Sequence, residues 1–357
     1  VLVGAEHVTR RDAEQQRIAD LSAGTCDRDR RRHDPSICLE AAQLTAEPRF
    51  VKPSSPDAAE RYLFCMTFNP DADISGNTTR RRGRGAAIAG GGVGVLGLVA
   101  LVVAMLGGPD LTGLVGAAPA GENPPASSGE NTLAECDTGE DANTNDDCRM
   151  AGAEVVLNEY WQQHVDGYQA PTLTVVDGQT STQCGTASNA VGPFYCPPEQ
   201  GVYIDPDFFQ LMRQQFGASA GELAQLYIVG HEWGHHIQNI TGTMDERPNN
   251  GTGPDSNGVR TELQADCYAG AWLGDVTTLK DDNGVAYVKK PTEEQITDAL
   301  NAAFTVGDDH IQEQQAGRVN PESFTHGTSE QRQAWFANGY KNGLGVCDTF
   351  AVSGAEL

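Results

Sequence analysis

ELAQLYIVGHEWGHHIQNI, residues 222–240, reads as one long helix that starts after Gly221 and closes at Gly242. Its apolar turn Leu226-Tyr227-Ile228-Val229 leads directly into His231-Glu232-Trp233-Gly234-His235, so the polar motif lies within a helix with a buried character. Residues at i and i+4 share a helix face one turn apart. Two imidazoles so placed suit a single zinc ion, at roughly 2.0–2.1 Å from each nitrogen. Glu232 is turned about 100° from His231. That sets it beside a metal instead of on it, where a carboxylate can take a proton from water.

Catalytic zinc takes three protein ligands and keeps one position open. The third is expected from Glu262, which opens Glu262-Leu263-Gln264-Ala265-Asp266, 27 residues after His235. Asp266 shares the Glu262 face by its i,i+4 spacing and is placed to orient a liganding histidine from behind. His236 points away from the His235 face and is expected to pack or to line a groove, and His164 and His310 are expected to be structural or on the surface. His326, in His326-Gly327-Thr328-Ser329, precedes the last helix, where a loop can bring it over the metal as a catalytic oxyanion stabiliser. Tyr340 is the weaker candidate for that role. Asp308-Asp309 reads as a capping or a calcium-binding feature, with capping preferred, and Asp245, Glu246 and Asp255 are expected to be solvated.

Outward from the motif, helices are expected over 153–165, 206–217, 259–276, 292–309 and 329–340, and strands at LTVVD (173–177) and GVYID (201–205). The strands are short β-branched or aromatic runs bounded by Gly and Pro. The helix from Thr292 follows Pro291 and carries carboxylates in its first turn, a good start signal. The globular region, 150–357, is therefore α+β: mostly helical with a small sheet.

Upstream, GAAIAGGGVGVLGLVALVVAMLGGP (85–109) contains no charged residue. About 22 apolar or small residues span roughly 30 Å as a helix, the thickness of the hydrocarbon layer. Arg80, Arg81, Arg82 and Arg84 precede it and Asp110 follows it. The positive-inside rule then makes residues 1–84 a cytoplasmic tail, 85–109 a single transmembrane helix and 110–149 a linker to an extracytoplasmic domain. Ala118-Pro119-Ala120 has the form of a signal cleavage site, but the apolar run exceeds the 7–15 residues or so of a signal core. Residues 1–65 lack sustained periodicity, and Met66 opens a conventional short tail, so the start is expected at Met66.

Six of the nine cysteines follow the apolar run, an even number suited to disulfides in an oxidising compartment. Six cysteines permit fifteen connectivities. Locality favours Cys136–Cys148 and Cys184–Cys196, leaving Cys267 with Cys347. Residues 110–357 carry 10 Lys/Arg against 36 Asp/Glu. Such an acidic domain lacks the clustered cations that phosphate binding requires, which argues against a nucleic-acid partner.

The chain resembles the bacterial family of neutral zinc metallopeptidases over about residues 66–357. The resemblance is carried by the basic flank and Gly-rich apolar run, Phe194-Tyr195-Cys196-Pro197, Val202-Tyr203-Ile204-Asp205, HEWGHHIQ (231–238), ELQADCYAGAW (262–272), VGDDHIQ (306–312) and HGTSEQRQAWFANGY (326–340). Residues 1–65 depart from the family pattern. The resemblance implies a zincin-like fold and supports the ligand set His231, His235 and Glu262, with Glu232 catalytic.

The expected activity is hydrolysis of peptide or protein substrates by a zinc peptidase, with a substrate strand lying along the sheet edge. Two rival readings are a non-catalytic zinc-containing envelope protein that binds, and a zinc amidase acting on cell-wall peptides. Intact Glu232 speaks against the first, because structural zinc needs no base. Residue types do not separate the second from a peptidase.

Overall fold

The structure is a computed structural model that describes residues 67–83, 131–216 and 220–357. Residues 1–65, the expected start at Met66 and the uncharged run 85–109 lie outside the described residues. Among the described residues, no helix is long and apolar enough to cross a membrane.

The first strand among the described residues is β1 (Arg80–Arg82), and β2 (Asn131–Thr132) pairs antiparallel with it, Arg80 facing Thr132 and Arg81 facing Asn131. Two helices follow, α1 (Gly139–Thr144) and α2 (Asp146–His164). β3 (Thr172–Val176) is succeeded by the hairpin β4 (Gln179–Thr182) and β5 (Gly185–Ser188), then by β6 (Phe194–Cys196) and β7 (Gly201–Ile204). α3 (Asp207–Leu211) ends in a wider π turn, Met212–Phe216. After it come α4 (Glu222–Ile240), the single turn α5 (Thr243–Glu246), α6 (Asn257–Asp275), α7 (Glu293–Thr305), α8 (Asp308–Ala316) and α9 (Ser329–Asn342). About half of the described residues are helical, so the α+β expectation holds.

The main sheet has the order β2-β1-β3-β7-β6. Its three inner strands are parallel and its two outer strands antiparallel to their neighbours. Parallel inner strands are buried on both faces, and Leu173, Val175, Val202 and Ile204 are almost fully inaccessible. α2 and α4 pack on this sheet and on each other. Trp161, Trp233, Trp272, Phe208 and Phe209 fill the space between these elements and α6.

The domain begins well before residue 150. Asn145 caps α2, its side chain accepting from the Asp147 and Cys148 amides at 2.8 and 3.3 Å. That cap starts the helix seven residues before the expected 153. The stretch assigned to a linker thus supplies β2, α1 and the head of α2. A larger correction concerns residues 67–83, expected in a tail separate from the domain. They form part of it: β1 sits between β2 and β3, aligned with Thr174, Val175 and Val176. Three consecutive arginines show no alternation, so their strand is created by tertiary partners alone.

The helix expected over 292–309 divides into α7 and α8. Val306 leaves helical geometry, with φ −104° and ψ 12°, and Asp308 opens the second helix.

Among the described residues the disulfides are Cys136–Cys148, Cys184–Cys196 and Cys267–Cys347, as locality favoured. Cys184–Cys196 ties the turn of the β4–β5 hairpin to β6. Cys267–Cys347 fastens α6 to the C-terminal segment, beside a smaller cluster of Val259, Leu263, Phe324, Trp335 and Leu357. It closes a span of 80 residues. Chain-entropy arguments give such a loop about 4 kcal/mol of stabilisation. Replacing Cys267 and Cys347 together by Ser is expected to lower unfolding free energy by about that amount, read from the denaturant midpoint at unchanged slope.

α6 and α9 meet along a seam without intervening side chains. A Cβ on Gly270 would lie 2.1 Å from the Phe336 carbonyl oxygen, and one on Gly339 would lie 2.0 Å from that of Cys267. Only glycine permits this approach, and it draws the N-terminal part of α9 onto the face of α6 that carries Asp266.

Candidate metal centre

α4 is buried along nearly its whole length, His231, Glu232 and His236 included. It crosses α6 closely at the motif, where a Cβ on Gly234 would come within 3.0 Å of the Ala265 Cα. This crossing brings Glu262 in α6 against the two motif histidines. His231 Nε2 lies 3.2 Å from Glu262 Oε2, and His235 Nε2 lies 3.5 Å from Glu262 Oε1. One ligand atom from each of the three residues falls within 4.8 Å of the others. Four-coordinate zinc with bonds of about 2.0–2.1 Å holds its ligand atoms about 3.3 Å apart.

The far side of each ring fixes which nitrogen points inward. His231 Nδ1 lies 2.8 Å from Asp266 Oδ1. An ionised carboxylate only accepts, so Nδ1 carries the proton. His235 Nδ1 lies 2.9 Å from Gln238 Oε1. The Gln238 amide nitrogen donates to the Thr261 carbonyl at 2.7 Å and to Gln264 Oε1 at 3.1 Å, so its oxygen is the atom turned to the ring. Both rings therefore turn Nε2 toward the Glu262 carboxylate. In a neutral ring with Nδ1–H, Nε2 is an acceptor. Two acceptors at this separation call for a cation between them. The carboxylates favour positive charge at this point, with a proton on the ring serving where no metal does: burial pulls the His231 pKa down, yet Asp266 and Glu262 raise it to about 10. The residues fit a zinc ion.

Asp266 is fully buried and supports the site from behind. Besides His231 it accepts from the Tyr227 hydroxyl at 2.6 Å and from Arg332 twice, Nε at 2.8 Å and Nη2 at 2.9 Å. Burial alone would raise its pKa, but the Arg332 guanidinium and His231 hold it at about 2. Arg332, on α9, and Gln238 were not singled out from sequence, although both lie inside quoted motifs. An i,i+3 glutamine after His235 is the one local signal that pointed to Gln238.

Glu232 stays outside the ligand cluster. Burial raises its pKa, opposed by the charges of His231 and His235 and by a hydrogen bond from the Tyr195 amide on β6. Beside it opens a small cleft with His231 and Arg332 in its lining and Pro193, Phe208, Ile228 and Val306 as its apolar walls.

His326 is buried; burial pulls its pKa down, but the Glu262 and Asp308 carboxylates raise it above the ordinary imidazole value. Its loop is held by Asp308 Oδ2, which accepts from the Thr325, His326 and Gly327 amides at 2.7, 2.7 and 3.0 Å. The ring's Nδ1 meets Thr325 Oγ1 at 2.8 Å. Asp309 accepts from the Ser329 amide at 2.7 Å. Both aspartates therefore cap backbone, as expected. His236 packs, with Nδ1 3.0 Å from the Tyr195 hydroxyl and Nε2 2.7 Å from the Gln169 carbonyl. His164 bonds the Tyr160 carbonyl at 2.7 Å, and His310 lies against Phe304. Tyr340 stacks on Phe336, while Asp245, Glu246 and Asp255 are exposed.

With this geometry in view, the similarity to known proteins is specific. Residues 69–350 match the family described as "Putative neutral zinc metallopeptidase". The chain belongs to that family. Members similar to it include an uncharacterized protein of Mycobacterium tuberculosis, 46% identical over 223 residues, which are 62% of this chain and 76% of the relative. The uncharacterized protein YpfJ of Escherichia coli is 36% identical over 277 residues, 76% of this chain and 91% of the relative. No solved structure matches the chain.

Proposed function

We propose that this zinc metallopeptidase family member hydrolyses peptide bonds in peptides or proteins, with His231, His235 and Glu262 holding zinc and Glu232 acting as the acid–base residue. The convergence of two Nε2 atoms and one carboxylate, beside a buried glutamate outside the ligand set, carries this reading. Zinc held there supplies Lewis acidity toward a water and toward the scissile carbonyl. Glu232 takes the proton of the attacking water and returns it to the leaving amine. Its burial, which favours the protonated acid, suits the second half of that exchange. Asp266, fixed by Arg332, orients His231, and Gln238 orients His235. The arrangement is zincin-like, with α4 beside β6, the outer strand on that side of the sheet. A substrate strand lies along this edge.

The site of action is outside the cytoplasm at the cell membrane. Three disulfides suit an oxidising compartment, and the uncharged run 85–109 suits lipid.

The test is cleavage of a mixed peptide library by the zinc-loaded full chain. Cuts that vanish with a chelator and return with zinc are expected. Library peptides left intact by protein carrying one zinc per chain would sink the peptidase reading.

His326 is the proposed oxyanion stabiliser. His326→Ala is expected to retain zinc and lose about 10²- to 10³-fold in kcat, the usual cost of one such donor. Zinc stoichiometry measured beside kcat separates this from loss of the metal.

A further inference from the structure

The segment Thr67–Gly83 is woven into the domain at several independent points. Phe68 is fully buried against α1 and α2, where a Cβ on Gly152 would strike its ring at 2.8 Å. The Asn143 side chain satisfies both backbone groups of Phe68, accepting from its N–H and donating to its carbonyl at 2.9 Å each. The Thr67 amide donates to Glu222, the first residue of α4, at 2.9 Å, and the Thr67 carbonyl accepts from the Lys289 amide at 2.9 Å. Glu154, buried in α2, takes the Thr78 amide at 3.1 Å and the hydroxyls of Thr78 and Thr79. Without residues 78 and 79 that carboxylate would be buried unsatisfied, which costs the full desolvation penalty of the group.

The basic flank is engaged in the same way. Arg81 pairs with Glu135 at 3.5 Å and with Asp147, both beyond the uncharged run. Arg82 interacts with Tyr203 on β7. These are the cations that the positive-inside rule counts as cytoplasmic. In the fold they face partners within the domain.

The chain leaves at Gly83 and returns at Asn131 on the same strand pair, with Arg81 opposite Asn131. Paired strands stand about 4.8 Å apart. A single membrane crossing between residues 84 and 130 would place their partners on opposite faces of about 30 Å of hydrocarbon. We propose that residues 67–83 and 131–357 form one folded unit on one side of the membrane, which excludes a single crossing by the chain between them. Any attachment to lipid through that intervening chain then begins and ends on the domain's own side.

The test is sidedness in intact bacterial cells producing the full chain with Cys26, Cys38 and Cys65 replaced by Ser. Single reporters are Gly76→Cys and Ala351→Cys. Both positions are exposed, and no atom lies within 4 Å of a Cβ at Gly76. A membrane-impermeant maleimide is applied before and after permeabilisation. Identical behaviour of the two reporters is expected, whether both react at once or both only after permeabilisation. One reporter reacting in intact cells while the other needs permeabilisation would overturn the proposal. A second pair, Ser75→Cys and Ser353→Cys, gives the same readout if either first variant fails to accumulate.

Discussion

Glu232→Gln is expected to bind one zinc per chain and to lose about 10²- to 10⁴-fold in kcat, the span typical of general acid–base groups. The substitution keeps size and shape while removing the proton acceptor. Glu232 lies outside the cluster that His231, His235 and Glu262 form, so metal content should not change. Metal analysis and single-turnover kinetics on one preparation decide the matter. Turnover equal to the parent's would remove Glu232 from the mechanism. Loss of zinc would mean that the carboxylate supports the metal directly.

The second large effect lies behind the ligands. Asp266→Ala leaves Arg332 buried without its carboxylate and strips the acceptor from His231 Nδ1 and the Tyr227 hydroxyl. Removing one partner of a buried ion pair costs about 3–5 kcal/mol, because the other charge remains uncompensated. At about 2–4 °C per kcal/mol for a unit of this size, Tm should fall by about 10 °C or more. Zinc affinity should weaken by about 10- to 100-fold as His231 loses its orientation. Asp266→Ala combined with Arg332→Met should recover part of the stability but not the affinity, since it removes the stranded charge and leaves His231 unsupported. A Tm for Asp266→Ala within about 2 °C of the parent's would show that the pair is not the buried keystone inferred here. The pair's contribution also has a pH direction. The pKa of Asp266 is depressed, so its contribution is present above the ordinary carboxylate pKa and is lost as pH falls toward about 2.

What could be read from sequence follows from how local each signal is. The α4 boundaries, 222–240, are set by Gly221, an apolar turn and Gly242, all within the segment, and they were legible. The His231–His235–Glu262 grouping was legible because zinc chemistry restricts both residue type and spacing. Arg332 was not, because its role arises only where glycines let α9 approach α6. The β4–β5 hairpin, QTST with GTAS, has no apolar alternation and was equally silent. β1 carries a local signal that points the wrong way. Its arginines beside an apolar run carry a strong membrane-flank pattern, while the Glu135, Asp147 and Tyr203 that occupy them are distant in sequence.

The inner position of β1 also has a consequence in time. Roughly 90 residues separate it from its parallel partner β3, so it leaves the ribosome long before that partner exists. At about 5–20 residues per second, β3 is made about 5–20 seconds later. Closing loops between distant segments is also entropically slow. During that interval the sheet has no centre, and Glu154 has yet to reach the threonines that satisfy it. The newborn chain therefore passes through a stage in which β1 must be kept from other partners, and helper proteins that shield nascent segments have their clearest task there.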